Sequence, residues 1–270
     1  MRRTLAPSSK DWLKDFFSGS VADWARNYAD LNGRTYLISR WRFALEMVEA
    51  TVVPGAKVLD VGCGTGAMGG GLMRRGYEVW GVDLAEAMIR YVQERLGRGR
   101  FGVGDIEHIP FRDNTFDAVV CLGVVEYLEK DEPALREVRR VLRPGGIAVI
   151  STPSALRPFY HIDRVLAGVT TPVRPLYRFV KYRLRGGPAP HPLTSRPRLH
   201  HRRYYRARWL RLLGSVGLEP EAWICHSWEC DTVGRFWGHA SLCRIGDKFA
   251  RNPALNWLGS HQLVQVRAVK

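Results

Sequence analysis

From residue 57 onward, short unbroken apolar runs alternate with longer amphipathic stretches. Lys57–Val61, Glu78–Val82, Phe116–Cys121 and Ile147–Ser151 have the length and composition of strands, and Arg100–Val103 is a shorter one. Between them, Gly66–Arg75, Ala85–Leu96 and Glu132–Leu142 place apolar residues at helical spacing. The strands are continuously apolar rather than alternating, which predicts a parallel sheet covered on both faces. Upstream, Asp11–Phe17 and Ser20–Tyr28 read as short helices with Trp12, Phe16, Phe17 and Trp24 on their apolar faces. Thr35–Ala50 reads as a longer helix that Val53-Pro54-Gly55 ends. Downstream, helices are expected over Tyr204–Val216 and Thr232–Phe249, and strands over Glu219–Trp228 and Gln262–Val269. Strand–helix alternation of this kind predicts an α/β, Rossmann-like, doubly wound sheet.

The regularity breaks at Pro153. The expected organisation is therefore an N-terminal helical cap (1–52), a ligand-binding core (53–153), an insertion after the fifth strand (154–203) and a C-terminal completion of the core (204–270).

Charge sharpens that division. The 270-residue chain has a formal net charge of +15. Fourteen Arg or Lys and one acid, Asp163, fall between Ser151 and Leu213, so this quarter of the chain holds +13 and the rest +2. A localised cationic field points to an anionic partner such as a membrane surface, a phosphorylated substrate or nucleic acid. The five cysteines are odd in number, widely spread and without CxxC spacing, which argues against zinc and against a disulfide framework. No apolar run approaches the ~20 residues that cross a bilayer, and the N-terminal MRRTLAPSSK lacks the apolar core of a secretory signal. The expected location is the reducing cytoplasm.

The chemistry concentrates in VLDVGCGTG, residues 58–66. Gly62, Gly64 and Gly66 follow a strand and open a helix. A chain without side chains there can turn sharply and let a ligand lie against its backbone, while the helix N-terminus offers free N–H groups. Gly62, Gly64 and Ala67 also fit the dinucleotide pattern, with Asp83 about 20 residues on as its ribose-binding acid. On this loop alone, a dinucleotide and a different nucleoside cofactor both fit.

The segments that follow are GVDLAEAMI with Asp83, GDIEHIPF with Asp105, FDAVVCLGVVEYLE and REVRRVLRPGG. Together with VLDVGCGTG they resemble, in order and spacing, the motif series of class I S-adenosylmethionine-dependent methyltransferases. The nearest types are those of ubiquinone and menaquinone biosynthesis. The resemblance covers Lys57 to Pro153, and HHRRYYRARWLRLLGSVGLEP extends it. It implies a seven-stranded, mostly parallel sheet and S-adenosylmethionine as cofactor. It also implies that Asp60 meets the cofactor ammonium, that the Gly62–Gly66 backbone passes under methionine and ribose, and that Asp83, followed by Leu84, binds both ribose hydroxyls. Asp105 and Ile106 would meet the adenine, and the Leu122 carbonyl the ammonium. Arg42 matches the spacing of an arginine that binds the cofactor carboxylate in ubiquinone-type O-methyltransferases, with Arg40 as its neighbour in contention. A solvated helix face accounts for either arginine equally well.

Methyl transfer from a sulfonium mainly requires alignment and exclusion of water, and an oxygen nucleophile also requires a base. Glu126 and His161 are the catalytic candidates, with Tyr127, His200 and His201 also near the expected cleft. Ubiquinone-type relatives hold a divalent metal with a Glu-x-x-Glu-His cluster after the fourth strand. Here Gly123, Glu126 and Tyr127 stand at those positions, so no catalytic metal is expected.

The insertion has three readings: a lid, a membrane contact, and a phosphate-binding groove for nucleic acid. Residues 172–185, PVRPLYRFVKYRLR, suggest a short amphipathic basic helix with Leu176, Phe179, Val180 and Leu184 on one side. Lid plus contact of residues 157–211 with an anionic membrane surface is favoured, which would put the protein peripherally on the inner membrane face. No RNA-binding module is visible. The acceptor expected from these features is a small, apolar or lipid-linked molecule methylated at oxygen. N- or C-methylation of a natural product, or methylation of RNA or another polyanion, are the alternatives.

Overall fold

The computed structural model describes residues 10–29, 35–97, 99–156, 158, 202–227, 239–252 and 254–269. Seven strands form one sheet: β1 Lys57–Val61, β2 Glu78–Asp83, β3 Arg100–Val103, β4 Phe116–Leu122, β5 Leu142–Pro153, β6 Leu218–His226 and β7 His261–Ala268. Their spatial order is β3-β2-β1-β4-β5-β7-β6. The first five strands run parallel, and β7 is antiparallel to both β5 and β6. The eight helices placed among the described residues are α1 Lys10–Ser18, α2 Val21–Ala29, α3 Thr35–Glu49, α4 Ala67–Met73, α5 Glu86–Leu96, α6 Asp131–Val141, α7 Arg206–Ser215 and α8 His239–Phe249.

Both faces of the sheet are covered, as the continuous apolar runs require. Leu59, Val61, Val119, Cys121, Ala148 and Ile150 face one layer, where Leu135 and Val138 of α6 and Trp209 and Leu213 of α7 close the core. The alternate residues Val58, Ala118, Val120 and Val149 face Phe43, Leu45 and Val48 of α3 and Leu72, Ile89 and Val92 of α4 and α5. Each of β1, β4 and β5 thus feeds two cores, and a charge at one of these apolar positions would be costly.

The chain winds from β1 outward through β2 to β3, then returns to β4 on the other side of β1. That reversal opens a crevice at the carboxyl ends of β1 and β4, where open α/β sheets bind ligands.

Two local readings change. Gly66 is not the first residue of α4 but its N-cap, held in the left-handed region at φ 74°. The Arg143-Pro144-Gly145-Gly146 stretch, which falls between the expected helix Glu132–Leu142 and strand Ile147–Ser151, does not lie outside the sheet. It is drawn into β5, with an irregular register opposite Phe116 and Ala118 and a left-handed Gly145 at φ 80°. A bulge of this kind inserts the extra residues without ending the strand.

The basic insertion lies outside the described residues from 159 to 201, and with it the 172–185 helix, His161, His200 and His201. Its two ends are described. Ser154 and Tyr204 form a parallel bridge, the Ala155 N–H donates to the Tyr204 carbonyl at 3.0 Å, and the Tyr204 N–H donates to the Pro153 carbonyl at 3.0 Å. Among the described residues no helix is long and apolar enough to cross a membrane.

Candidate active site

One cavity runs along the carboxyl edge of the sheet. It takes in Asp105 after β3, Asp83 on β2, Asp60 on β1, Leu122 and Gly123 at the end of β4, Pro153 on β5 and His261 on β7. Of the residues singled out from sequence, Asp60, Gly62, Gly64, Asp83, Leu84, Asp105, Ile106, Leu122 and Glu126 line it.

The glycine loop is built for closeness. At Gly62, φ is 70° and a Cβ would lie 2.2 Å from Val124 Cγ2. At Gly66, φ is 74° and a Cβ would lie 2.2 Å from Val92 Cγ2. Those two glycines are demanded by the fold. Gly64 differs: its φ is 50°, and nothing lies within 4 Å of where a Cβ would be. That open space is the cavity floor.

Asp83 stitches loop to helix. Its Oδ2 accepts from the Gly64 N–H and its Oδ1 from the Ala85 N–H, both at 2.9 Å. Asp60 is buried beneath the loop and accepts one bond, from the Gly69 N–H at 3.1 Å. Burial pushes its carboxyl up to about 7, with the nearby Asp83 charge adding to the shift and the Gly69 bond opposing it. A carboxyl poised there should ionise when a cation arrives, so binding of an ammonium-bearing ligand should expel a proton. The sign follows: with the free pKa near 7 and the bound pKa lower, affinity rises with pH from about pH 5 and levels off above neutrality. Calorimetry with S-adenosylhomocysteine at pH 6, in two buffers of different ionisation enthalpy, should report net proton release. Asp60→Asn should reduce it, and an unchanged proton count in that variant would refute the assignment.

Three helices roof the cavity, each through a pair spaced i, i+4: Leu13 and Phe17 on α1, Trp24 and Tyr28 on α2, Tyr36 and Arg40 on α3. Lys10, at the start of α1, bridges Asp105 at 2.5 Å and also pairs with Glu107. The roof is therefore latched to the β3 end of the site.

Arg40, not Arg42, reaches the cavity. Arg42 is turned away, paired with Glu46 at 3.0 Å and Asp247 at 3.1 Å, with its guanidinium over Phe43. Arg40 is 7% exposed, donates to the Tyr28 hydroxyl at 3.1 Å and leaves Nε without a partner. A Cβ on Gly123 would lie 2.5 Å from Arg40 Nη1, so the guanidinium fills the space over the end of β4 that a longer side chain at 123 would need.

Glu126 sits in a single 3-10 turn, Val125–Tyr127. It is 5% exposed, and its Oε2 has no hydrogen-bond partner. Burial pushes its carboxyl up to about 7 against the opposing pull of Arg40. The turn is braced from outside. The Arg202 N–H donates to the Glu126 carbonyl at 3.0 Å, Arg202 also pairs with Asp131 at 2.6 Å, and the Tyr204 hydroxyl donates to Asp131 at 2.8 Å. Among the described residues, no group of three His, Cys, Asp or Glu side chains is arranged to hold a metal.

Residues 59–150 match the family model described as a methyltransferase domain. The malonyl-[acyl-carrier protein] O-methyltransferase of Serratia marcescens is 37% identical over 102 residues, 38% of this chain and 40% of that protein. The ubiquinone/menaquinone biosynthesis C-methyltransferase UbiE of Cupriavidus pinatubonensis is 39% identical over 112 residues, 38% of this chain and 46% of that protein. The chain thus spans less than half the length of these curated relatives. A TehB-like SAM-dependent methyltransferase from Corynebacterium glutamicum superposes with a TM-score of 0.57 at 25% identity, covering 95% of this chain and 100% of the other.

Proposed function

We propose that this chain, whose residues 59–150 match a methyltransferase domain, is a class I enzyme that transfers a methyl group from S-adenosylmethionine to a small apolar acceptor at oxygen. The observation that carries the reading is one continuous cavity with two chemically distinct ends. Asp60, Gly64 and Asp83 stand at one end, and Glu126 stands among aromatic rings at the other.

The residues fit the cofactor. Gly64 leaves open space for a ligand against the backbone. The Asp83 carboxylate has acceptor capacity beyond its two backbone bonds for a ribose diol, and Asp60 can ionise opposite an ammonium. The buried Arg40 Nε and Thr65 Oγ1 both lack partners beside the cavity, and Arg40 would meet the cofactor carboxylate in place of Arg42. When bound, the cofactor supplies an activated methyl on a sulfonium. What the protein adds is alignment, through the loop and the roof helices, and exclusion of water by Phe17, Trp24 and Tyr127.

Oxygen is favoured because a hydroxyl nucleophile must give up a proton, and the cavity holds a buried carboxyl, Glu126, raised to about 7, that would compensate charge formed beside it. The two curated relatives named above divide between an O- and a C-methyltransferase, so the atom methylated is what the experiment must report. Incubation with methyl-labelled S-adenosylmethionine and an organic-solvent extract of the source cells should label one apolar product. Labelling should survive EDTA. Product found only in RNA, or activity lost to EDTA and restored by magnesium, would overturn the reading.

A further inference from the structure

The carboxyl edge of the sheet works as a ruler along the cavity. Neighbouring strands lie about 4.8 Å apart, and the cavity crosses six of them in the order β3, β2, β1, β4, β5, β7. Taking Asp105, Asp83, Asp60 and Leu122 as the cofactor's contacts, as in the function proposed above, uses the first four. Two strands remain, and each ends on the cavity with one residue: Pro153 on β5 and His261 on β7. These two are register partners. Beyond the cofactor, His261 is the group on the sheet edge able to exchange a proton.

Its surroundings hold the ring in place. Tyr36, itself in the cavity roof, lies flat against the His261 ring at 4.7 Å between centroids and 9° between planes. Behind it stands His226, the register partner on β6, with rings 5.9 Å apart and 27° from parallel. His226 is fully buried, contacts the Ser227 hydroxyl at 2.8 Å through Nδ1, and has no partner at Nε2. Burial, with Arg40 and Arg42 nearby, pulls its pKa down to about 3. It therefore stays neutral, and a proton taken up by His261 meets no second imidazolium behind it.

The walls at this end say what would bind. Tyr36 lies on His261 there, and Tyr28, Tyr127, Phe17 and Trp24 line the same cavity, a lining suited to a flat apolar ring held by stacking. We propose that His261 is the proton acceptor for a flat, apolar acceptor bearing an ionisable hydroxyl, bound at the β5–β7 end of the cavity. The balance is simple. The acceptor O–H proton passes to an imidazole nitrogen, the oxygen forms its bond to the methyl carbon as the carbon–sulfur bond breaks, and the bonding pair stays on sulfur as a neutral thioether. Glu126 lies on the same cavity, and its carboxylate would offset the charge gained on the imidazole.

The proposal rests on the methyltransferase reading, and the test separates the two. The probe is 4-nitrocatechol, whose colour reports ionisation of its hydroxyl, added to protein saturated with S-adenosylhomocysteine. The wild type should bind it saturably and show more phenolate than the same probe in buffer at equal pH. His261→Gln should bind S-adenosylhomocysteine within twofold of wild type and the probe within about threefold, yet leave it un-ionised. Methyl transfer to the labelled product should fall by about a hundredfold. His261→Asn, a second variant, should behave alike. Retained ionisation in both variants, loss of ionisation in Glu126→Gln alone, or no saturable probe binding by the wild type would each overturn the proposal. Failure of the wild type to bind S-adenosylhomocysteine would instead refute the underlying function, and this inference with it.

Discussion

Asp83→Ala should weaken S-adenosylhomocysteine binding by a hundredfold or more, measured by calorimetry. The carboxylate is expected to accept from both ribose hydroxyls, and a hydrogen bond to a charged group is worth about 1.5–3 kcal/mol. Losing two costs about 3–6 kcal/mol, and a hundredfold is about 2.7 kcal/mol. The variant also frees the Gly64 and Ala85 N–H groups that Asp83 now holds, so the loop loses its tie to β2 as well as its contact with the ligand. Asp83→Asn, which keeps one acceptor oxygen, should fall between the two. Binding within threefold of wild type in Asp83→Ala would mean that the diol subsite is elsewhere.

The second large effect separates fold from function within one loop. Gly62→Ala should lower the melting temperature by roughly 5–15 °C. A left-handed alanine costs about 1–2 kcal/mol, the collision with Val124 Cγ2 at 2.2 Å adds about 1–3 kcal/mol of overpacking, and each kcal/mol shifts a domain of this size by about 2–4 °C. Gly64→Ala faces the same backbone penalty and no collision. It should melt within a few degrees of wild type, yet bind S-adenosylhomocysteine at least tenfold more weakly, because its methyl occupies the floor on which the ligand lies. Equal melting temperatures for the two variants would contradict the loop geometry.

The middle of the sheet was legible because β1, β4 and β5 each satisfy two cores at once, which leaves apolar runs in the sequence. Asp60, Asp83 and Asp105 were legible because each follows such a run at a fixed offset. The end proposed to take the acceptor was not. Its side chains come from α1, α2, α3 and β7, far apart in sequence, and no local motif joins them. A signal did exist: Leu13 with Phe17, Trp24 with Tyr28, and Tyr36 with Arg40 are i, i+4 pairs. Such pairs share one helical face, but nothing in the sequence says that the face looks onto a ligand rather than a core. The same ambiguity explains the arginines. Arg40 and Arg42 are two residues apart on α3, hence on nearly opposite sides, and only tertiary packing decides which side is inward. His261 falls one residue before the strand expected over Gln262–Val269 and carries no signal of its own in the sequence, because its neighbours Pro153 and His226 are 108 and 35 residues away.

The Ser154–Tyr204 bridge has a consequence for how such a protein can diversify. It holds the two described ends of the basic stretch side by side at the rim of the sheet. Loop-closure entropy grows slowly, by about 0.6 kcal/mol for each doubling of length. The stretch can therefore be lengthened, shortened or recharged at small cost to the core. The clamp also lies beside the turn that carries Glu126, through Arg202 and Tyr204. Changes at either described end of the stretch would thus act beside Glu126 and away from the glycine loop.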